Sequence, residues 1–413
     1  MNNWKRTFTI IWSGQFFSML SSAIVGFAVV FWLSMETGSP KVLAYSMLAV
    51  LMPFIVLGLF TGVFVDRWDR RRTMIIADSF VALCSAVLAI LFFMGRIEMW
   101  EIYLLLALRS AGSAFHTPAM QASVPLLAPE SELMRVAGIN QMIQSVSNIA
   151  GPALGAVFVA FFDMGYIMLF DVVGAAIACT SLMFVTIPNP EKKENVAPHI
   201  WREIKEGIGH MFGEKGLSYL LACVIIVTFF MVPIGALFPL MTINYFGGSE
   251  FQMGLVEVCW GSGMLIGGAI VSLRFMKTVN KIYIINITTI LMGLAFWACG
   301  LLPASAFIVF VVITTIGGVV SSIYWGTFVV ILQTRIDPAA LGRVFSIYDS
   351  ISLLPTIPGL LATGFIAEKI GLLNAFIVAG IATLIVGILA FFAKPIMQLG
   401  KVMKKKGEPD TEE

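Results

Sequence analysis

Twelve apolar runs, each about as long as a bilayer's hydrocarbon core needs, constrain this chain more than any other feature. A helix crosses that core with about 20 residues. Read between charged or Pro/Gly breaks, the runs lie near 8–34, 41–65, 74–95, 101–124, 133–161, 165–187, 217–244, 252–274, 281–302, 305–332, 340–367 and 372–393. Only 12% of the 413 residues are charged and 59% are hydrophobic, whereas soluble domains carry about 25% charge. The pattern predicts an all-α integral membrane protein. Its five cysteines all fall inside apolar runs without paired spacing, so they read as small buried hydrophobes and not as a disulfide or metal set. Lys5 and Arg6 precede the first run without a cleavage pattern, which predicts a retained first helix.

Most of the 26 Lys and Arg residues fall on one face of this arrangement: Lys5 and Arg6, Arg67, Arg70 to Arg72, Arg135, the basic residues between 192 and 215, Arg274 to Lys281, Arg335, Arg343 and Lys394 to Lys406. The positive-inside rule places that face, with both termini, in the cytosol. The long interval 188–216 divides the runs six and six. Domains are therefore expected at 1–187 and 217–393, joined by a cytosolic linker at 188–216 and followed by a tail at 394–413. Within the linker, Ile200, Trp201, Ile204, Ile208, Met211 and Phe212 have helical spacing opposite mostly charged positions, which predicts an amphipathic helix on the membrane surface. The tail from Lys404 reads as disordered. An internal repeat supports two bundles: Pro129 to Val136 opens the fifth run much as Asp337 to Val344 opens the eleventh, and Gly151-Pro152 is answered by Pro358-Gly359.

The densest charge lies between the second and third runs, in Gly62-Val-Phe-Val-Asp66-Arg67-Trp-Asp69-Arg70-Arg71-Arg72. Asp66 is placed to accept from the N-terminus of a neighbouring helix, where the macrodipole favours an anion; the eleventh run begins on the same face, near Ala339. Arg70 is expected to pair with Glu130 at the end of the fourth run. Plain orientation charge accounts for Arg71 and Arg72 but not for Asp66 with Gly58 and Gly62.

Ionisable groups inside spans are costly to bury and functional by default. Arg109 lies roughly 13 Å into the fourth run and Asp349 roughly 15 Å into the eleventh, at 1.5 Å per residue. Asp171 is roughly 9 Å from the outer end of the sixth run, with Glu257 at similar depth in the eighth. Asp349 and Asp171, with Arg109 and Glu257, are the candidates for carrying protons, since burial in low dielectric favours a carboxyl that holds its proton. The alternative for each is an ion pair or cap that holds packing. That structural role is the expectation for Asp78, and packing is the expectation for His116. Gln15, Ser18 and Ser22 have the spacing to line a cavity.

The charged turn resembles the G-x-x-x-D-R-x-G-R-R signature of the major facilitator superfamily, with Asp69 in place of a glycine. Ser147 to Ala156 is similar to the G-x-x-x-G-P-x-x-G-G element of its antiporters. Small residues there allow close helix approach, and proline bends the helix. Trp12 to Ser18, Thr37 to Pro40, Ala77-Asp78, Pro118-Ala119, Arg135 to Gln141, Phe170-Asp171 and Leu341 to Val344 extend the likeness to the superfamily's third drug:proton antiporter group, the macrolide-efflux-like proteins.

The resemblance implies the major facilitator fold. Gly62, Asp66, Arg67, Arg70 and Glu130 would form a cytosolic gate, Gly151, Pro152, Gly155, Pro358 and Gly359 would be hinge or interface positions, and Arg109 would match a span-four arginine of proton-coupled members. It implies a transporter and not an enzyme, without cofactor or metal, working as a monomer in a bacterial cell membrane. The expected function is proton-driven efflux of an amphipathic small molecule. A lysophospholipid or siderophore carrier is the alternative within transport, and a membrane sensor that moves nothing is the alternative of another class. Lipids and protons are the other expected partners; no nucleic-acid partner is expected.

Overall fold

A computed structural model describes residues 4–37, 40–188, 200–238, 241–355, 358 and 369–405. Among them the regular structure is helical throughout: α1 (Trp4–Thr37), α2 (Pro40–Arg67), α3 (Arg70–Met94), α4 (Met99–Leu127), α5 (Leu133–Phe161), α6 (Met164–Met183), α7 (Ile200–Phe212), α8 (Lys215–Ala236), α9 (Glu250–Ser272), α10 (Lys281–Gly300), α11 (Phe307–Arg335), α12 (Leu341–Leu353), α13 (Leu372–Phe392) and α14 (Lys394–Lys405). Nine of these segments are long and apolar enough to cross a membrane. With α4, α8 and α12 they make the twelve-helix build that the apolar runs predict, the two short helices α7 and α14 standing apart from the count.

Local chemistry sets the helix ends. Asp69 accepts from the Arg72 amide at 2.8 Å and caps α3. Its backbone is extended, at φ −64°, so this position needs no glycine, and the side chain completes a helix start instead. Gly95, at φ 62°, closes α3 in the left-handed conformation that lacks a penalty only for glycine. Ser249 and Gln252 form a reciprocal cap at the start of α9.

The tail departs from expectation. Lys404 and Lys405 lie on the last turn of α14, and Ile396 and Leu399 on that helix are almost fully buried. Apolar residues three apart anchor one helical face despite the surrounding lysines. Residues 406–413 lie outside the described residues.

The chain divides into two compact units: Met1–Leu133, Val146–Gly207 and Gln333–Ser350 in one, and Met134–Ser145, Ile208–Leu332 and Ile351–Glu413 in the other. In the first unit α1 and α3 pack on α6 and α2 packs on α4. Its core gathers Val25, Leu33, Leu88, Ile102, Ile167 and Met168. A Cβ on Gly14 would meet Ser181, and one on Gly174 would meet Ser21, so small residues set the α1–α6 approach. In the second unit α8 and α10 pack on α13, and α9 meets α11 through Gly263 against Thr315 and Gly318 against Trp260. First with sixth, third with sixth and second with fourth is thus the pairing order in both halves of the chain, the structural form of the repeat seen in the sequence.

Candidate functional site

Four helices of the first unit converge on a buried charge pair. Arg109 of α4 lies 2.7 Å from Asp171 of α6, and the two side chains are 10% and 2% exposed. The other Asp171 oxygen accepts from Ser22 of α1 at 2.5 Å. Ser85 of α3 donates to Asp171 at 2.7 Å and accepts from Arg109. An isolated charge at this depth would cost several kcal/mol, so the partners are a condition for burying either group. Spacing alone places Arg109 and Asp171 as separate candidates. The structure joins them, and it turns Ser22 onto Asp171.

A second polar cluster lies nearby in the same unit. Gln15 of α1 donates to Asp78 of α3 at 3.3 Å, and His116 Nε2 of α4 is 3.5 Å from the other Asp78 oxygen. Gln15 therefore bonds to an acid as well. Ser18 is buried, its carbonyl accepting from Ser21 at 3.0 Å.

At one end of this unit stands the charged turn. Asp66 Oδ1 accepts from the Gly342 amide at 2.7 Å, and Oδ2 accepts from the Arg343 amide at 3.3 Å and from Arg343 Nε at 2.7 Å. The acceptor thus sits on the first turn of α12, whose free N–H groups and dipole favour an anion. Its side chain is 2% exposed. Gly62, one turn earlier on α2, permits the approach, since a Cβ there would strike Arg343 and Ser346. Arg343 also reaches Glu206 of α7 at 3.3 Å, so the linker helix joins the same charge chain. Nothing in the sequence joins Arg343 or Glu206 to Asp66, a chain of contacts whose links each span more than 130 positions.

Arg70 corrects an expectation. Its guanidinium donates to the carbonyls of Ala122 and Pro338, each at 2.5 Å. Glu130, the expected partner, lies exposed in a one-turn 3-10 helix and makes no side-chain bond among the described residues. The end of α4 is rich in acceptors because Pro125 brings no N–H to the Gln121 carbonyl one turn earlier. That carbonyl accepts instead from Gln333 at 3.1 Å. The Ala122 carbonyl beside it, with two lone pairs, takes the Arg70 guanidinium. Arg67 lies exposed on the last turn of α2.

The remaining candidates are dispersed. Gly151 and Gly155 flank Pro152 on α5, and Cβ atoms there would press on Ala23 at 3.0 Å and on the Ile24 carbonyl at 3.2 Å, so the close approach is to α1. Asp349, on α12, has a buried Oδ2 without a hydrogen-bond partner. Glu257 is exposed on α9. Pro358 is exposed, and Gly359 lies outside the described residues, as does most of the 340–367 run beyond Pro355.

Repeated six-helix halves with ionisable groups buried between apolar spans are the build of a secondary transporter. A profile of the Major Facilitator Superfamily matches residues 11–357. Macrolide efflux protein A of Streptococcus pyogenes is 37% identical over 96% of this chain and 98% of its own length. The protein of that name from Enterococcus faecalis is 39% identical over 77% of this chain and 98% of its own. The crystal structure of the human organic anion transporter MFSD10 shares the fold, with a TM-score of 0.75 at 17% identity over 94% of this chain and 99% of its own. The chain belongs to the Major Facilitator Superfamily; it is a multi-pass membrane transporter and not an enzyme.

Proposed function

We propose that this chain exports an amphipathic small molecule of the macrolide kind from a bacterial cell by exchanging it for inward-moving protons. The observation that carries the reading is the 37% identity to macrolide efflux protein A over nearly the whole of both chains. In this account both termini are cytosolic, and the protein works as a monomer among lipids by alternating access. The bond from Asp66 to the α12 N-terminus is the cytosolic latch, closed while that side is shut and broken when it opens. Asp349, whose buried oxygen has no hydrogen-bond partner, is the proton-carrying acid in this account; of the other candidates, Arg109 and Asp171 are tied to each other and Glu257 is exposed.

The driving force is adequate in size. One charge moving through 100 mV releases about 2.3 kcal/mol, which supports a substrate gradient of roughly fiftyfold at about 1.4 kcal/mol per decade. The test is an efflux-deficient strain expressing the chain and grown against a panel of antibiotics. Raised resistance to macrolides, with lowered cell-associated drug, is the expected result. Unchanged resistance across the panel in cells that make the protein would refute the cargo and point to a siderophore or lysophospholipid.

A further inference from the structure

Gln15 and Ser22 on α1, Asp78 and Ser85 on α3, and Arg109 and His116 on α4 are each seven positions apart. Seven residues make nearly two helical turns, so each pair lies on one face about 10.5 Å apart along the axis. Three helices thus build two polar storeys. One sets Ser22, Ser85 and Arg109 around Asp171 of α6; the other sets Gln15 and His116 around Asp78.

The storeys differ in how fully their atoms are bonded. Both Asp171 oxygens have donors, and arginine keeps its proton, so that storey is a fixed pair. In the other, Gln15 Oε1 and His116 Nε2 are buried and unbonded, and Gln15 is wholly inaccessible. A bare imidazole nitrogen 3.5 Å from a carboxylate oxygen sets lone pair against lone pair. A proton on that nitrogen turns the repulsion into attraction between an imidazolium and a carboxylate, and closer approach then makes a charge-assisted hydrogen bond.

Few other titratable or charged groups lie on the elements packed around the pair. From α1, nothing ionisable occurs between Arg6 and Glu36, and from α2 only Tyr45 between Lys41 and Asp66. On α3 there are Arg70 to Arg72 and Cys84, and on α4 Glu101, Tyr103 and Arg109. On α6 there are Tyr166, Asp171 and Cys179, the last with its thiol on the Ile75 carbonyl. Packed on α2, α12 adds Arg343, Tyr348 and Asp349, and α5, packed on α1, adds Arg135.

We propose that Asp78 and His116 form a proton-binding site in the first bundle, one proton being held between His116 Nε2 and Asp78 Oδ1, taken from water on one side of the membrane and returned to water on the other. As a step in transport this rests on the proton-coupled reading above; as a site it does not.

The test uses the full chain in detergent with nitrogen-15 label in its three histidines, which are His116, His199 and His210. Loss of one signal in His116→Gln assigns it. The His116 ring signal is expected to report gain and loss of one proton as pH is varied, and Asp78→Asn to change that response. A ring signal that pH leaves unmoved, or a response that Asp78→Asn leaves unaltered, overturns the site. In proteoliposomes, Asp78→Asn and His116→Gln are each expected to abolish the stimulation of labelled-macrolide uptake by an imposed pH gradient; full stimulation in both overturns the site's role in coupling. A wild-type protein that titrates as expected but transports without response to the gradient refutes proton coupling and leaves the site standing.

Discussion

Asp66 ties the charged turn to α12. It holds two amides and a guanidinium of α12 from an almost fully buried position. Hydrogen bonds to a charged group contribute about 1.5–3 kcal/mol each, enough to hold a contact yet small enough for a transport cycle to break. Asp66→Asn keeps the shape and removes the charge. We expect transport to fall steeply while the amount of protein in the membrane stays near normal, checked by vesicle uptake against immunoblot; unchanged efflux would remove the latch. The Arg109–Asp171 pair makes a different prediction. Asp171→Asn strands a buried guanidinium, a change that costs about 3–5 kcal/mol where one partner of a buried pair is lost. A lowered unfolding temperature in detergent is expected, with part of the loss recovered in Arg109→Met/Asp171→Asn. A single variant as stable as wild type would mean that water reaches the pair.

Among elements, α2 and α12 meet most closely at Gly62, where an added Cβ would strike backbone as well as a side chain of α12. Gly62→Leu should therefore abolish transport, whereas Gly26→Leu, at a glycine whose Cβ meets nothing within 4 Å, should leave it intact. Equal activity in the two variants would show that the α2–α12 approach is dispensable. The caps at Asp69 and Ser249 are local, an Asp or Ser just before a helix start being the signal that could have placed them. Side-chain pairing has no such local signal. Arg109 and Asp171 are 62 positions apart and meet only because α4 and α6 both pack on α3. The seven-residue spacing on α1, α3 and α4 is the signal that would have drawn Gln15, Asp78 and His116 together. Arg70 misled because an acid seemed its natural partner, although carbonyl oxygens also accept from a guanidinium. The burial of Ile396 and Leu399 was hidden by the lysines around them.

At the scale of the whole molecule, hydropathy gave most spans to within a few residues because bilayer thickness fixes helix length, although the seventh run reaches eight residues past the end of α8 and most of the eleventh beyond Pro355 lies outside the described residues. It could not give the order of pairing, since lipid is as apolar as the helices and partners are chosen by scattered small residues such as Gly14, Gly174, Gly263 and Gly318. The repeated pairing in the two halves supports a machine of two like bundles, and the identity to macrolide efflux proteins supports its cargo. The most direct measurement is uptake of a labelled macrolide by proteoliposomes holding the purified chain, with the lumen made acidic. Accumulation above the outside concentration, absent from empty liposomes and abolished when an ionophore dissipates the gradient, is the predicted result. Uptake that is the same with and without the gradient, or that is absent in either direction, would contradict proton-driven export.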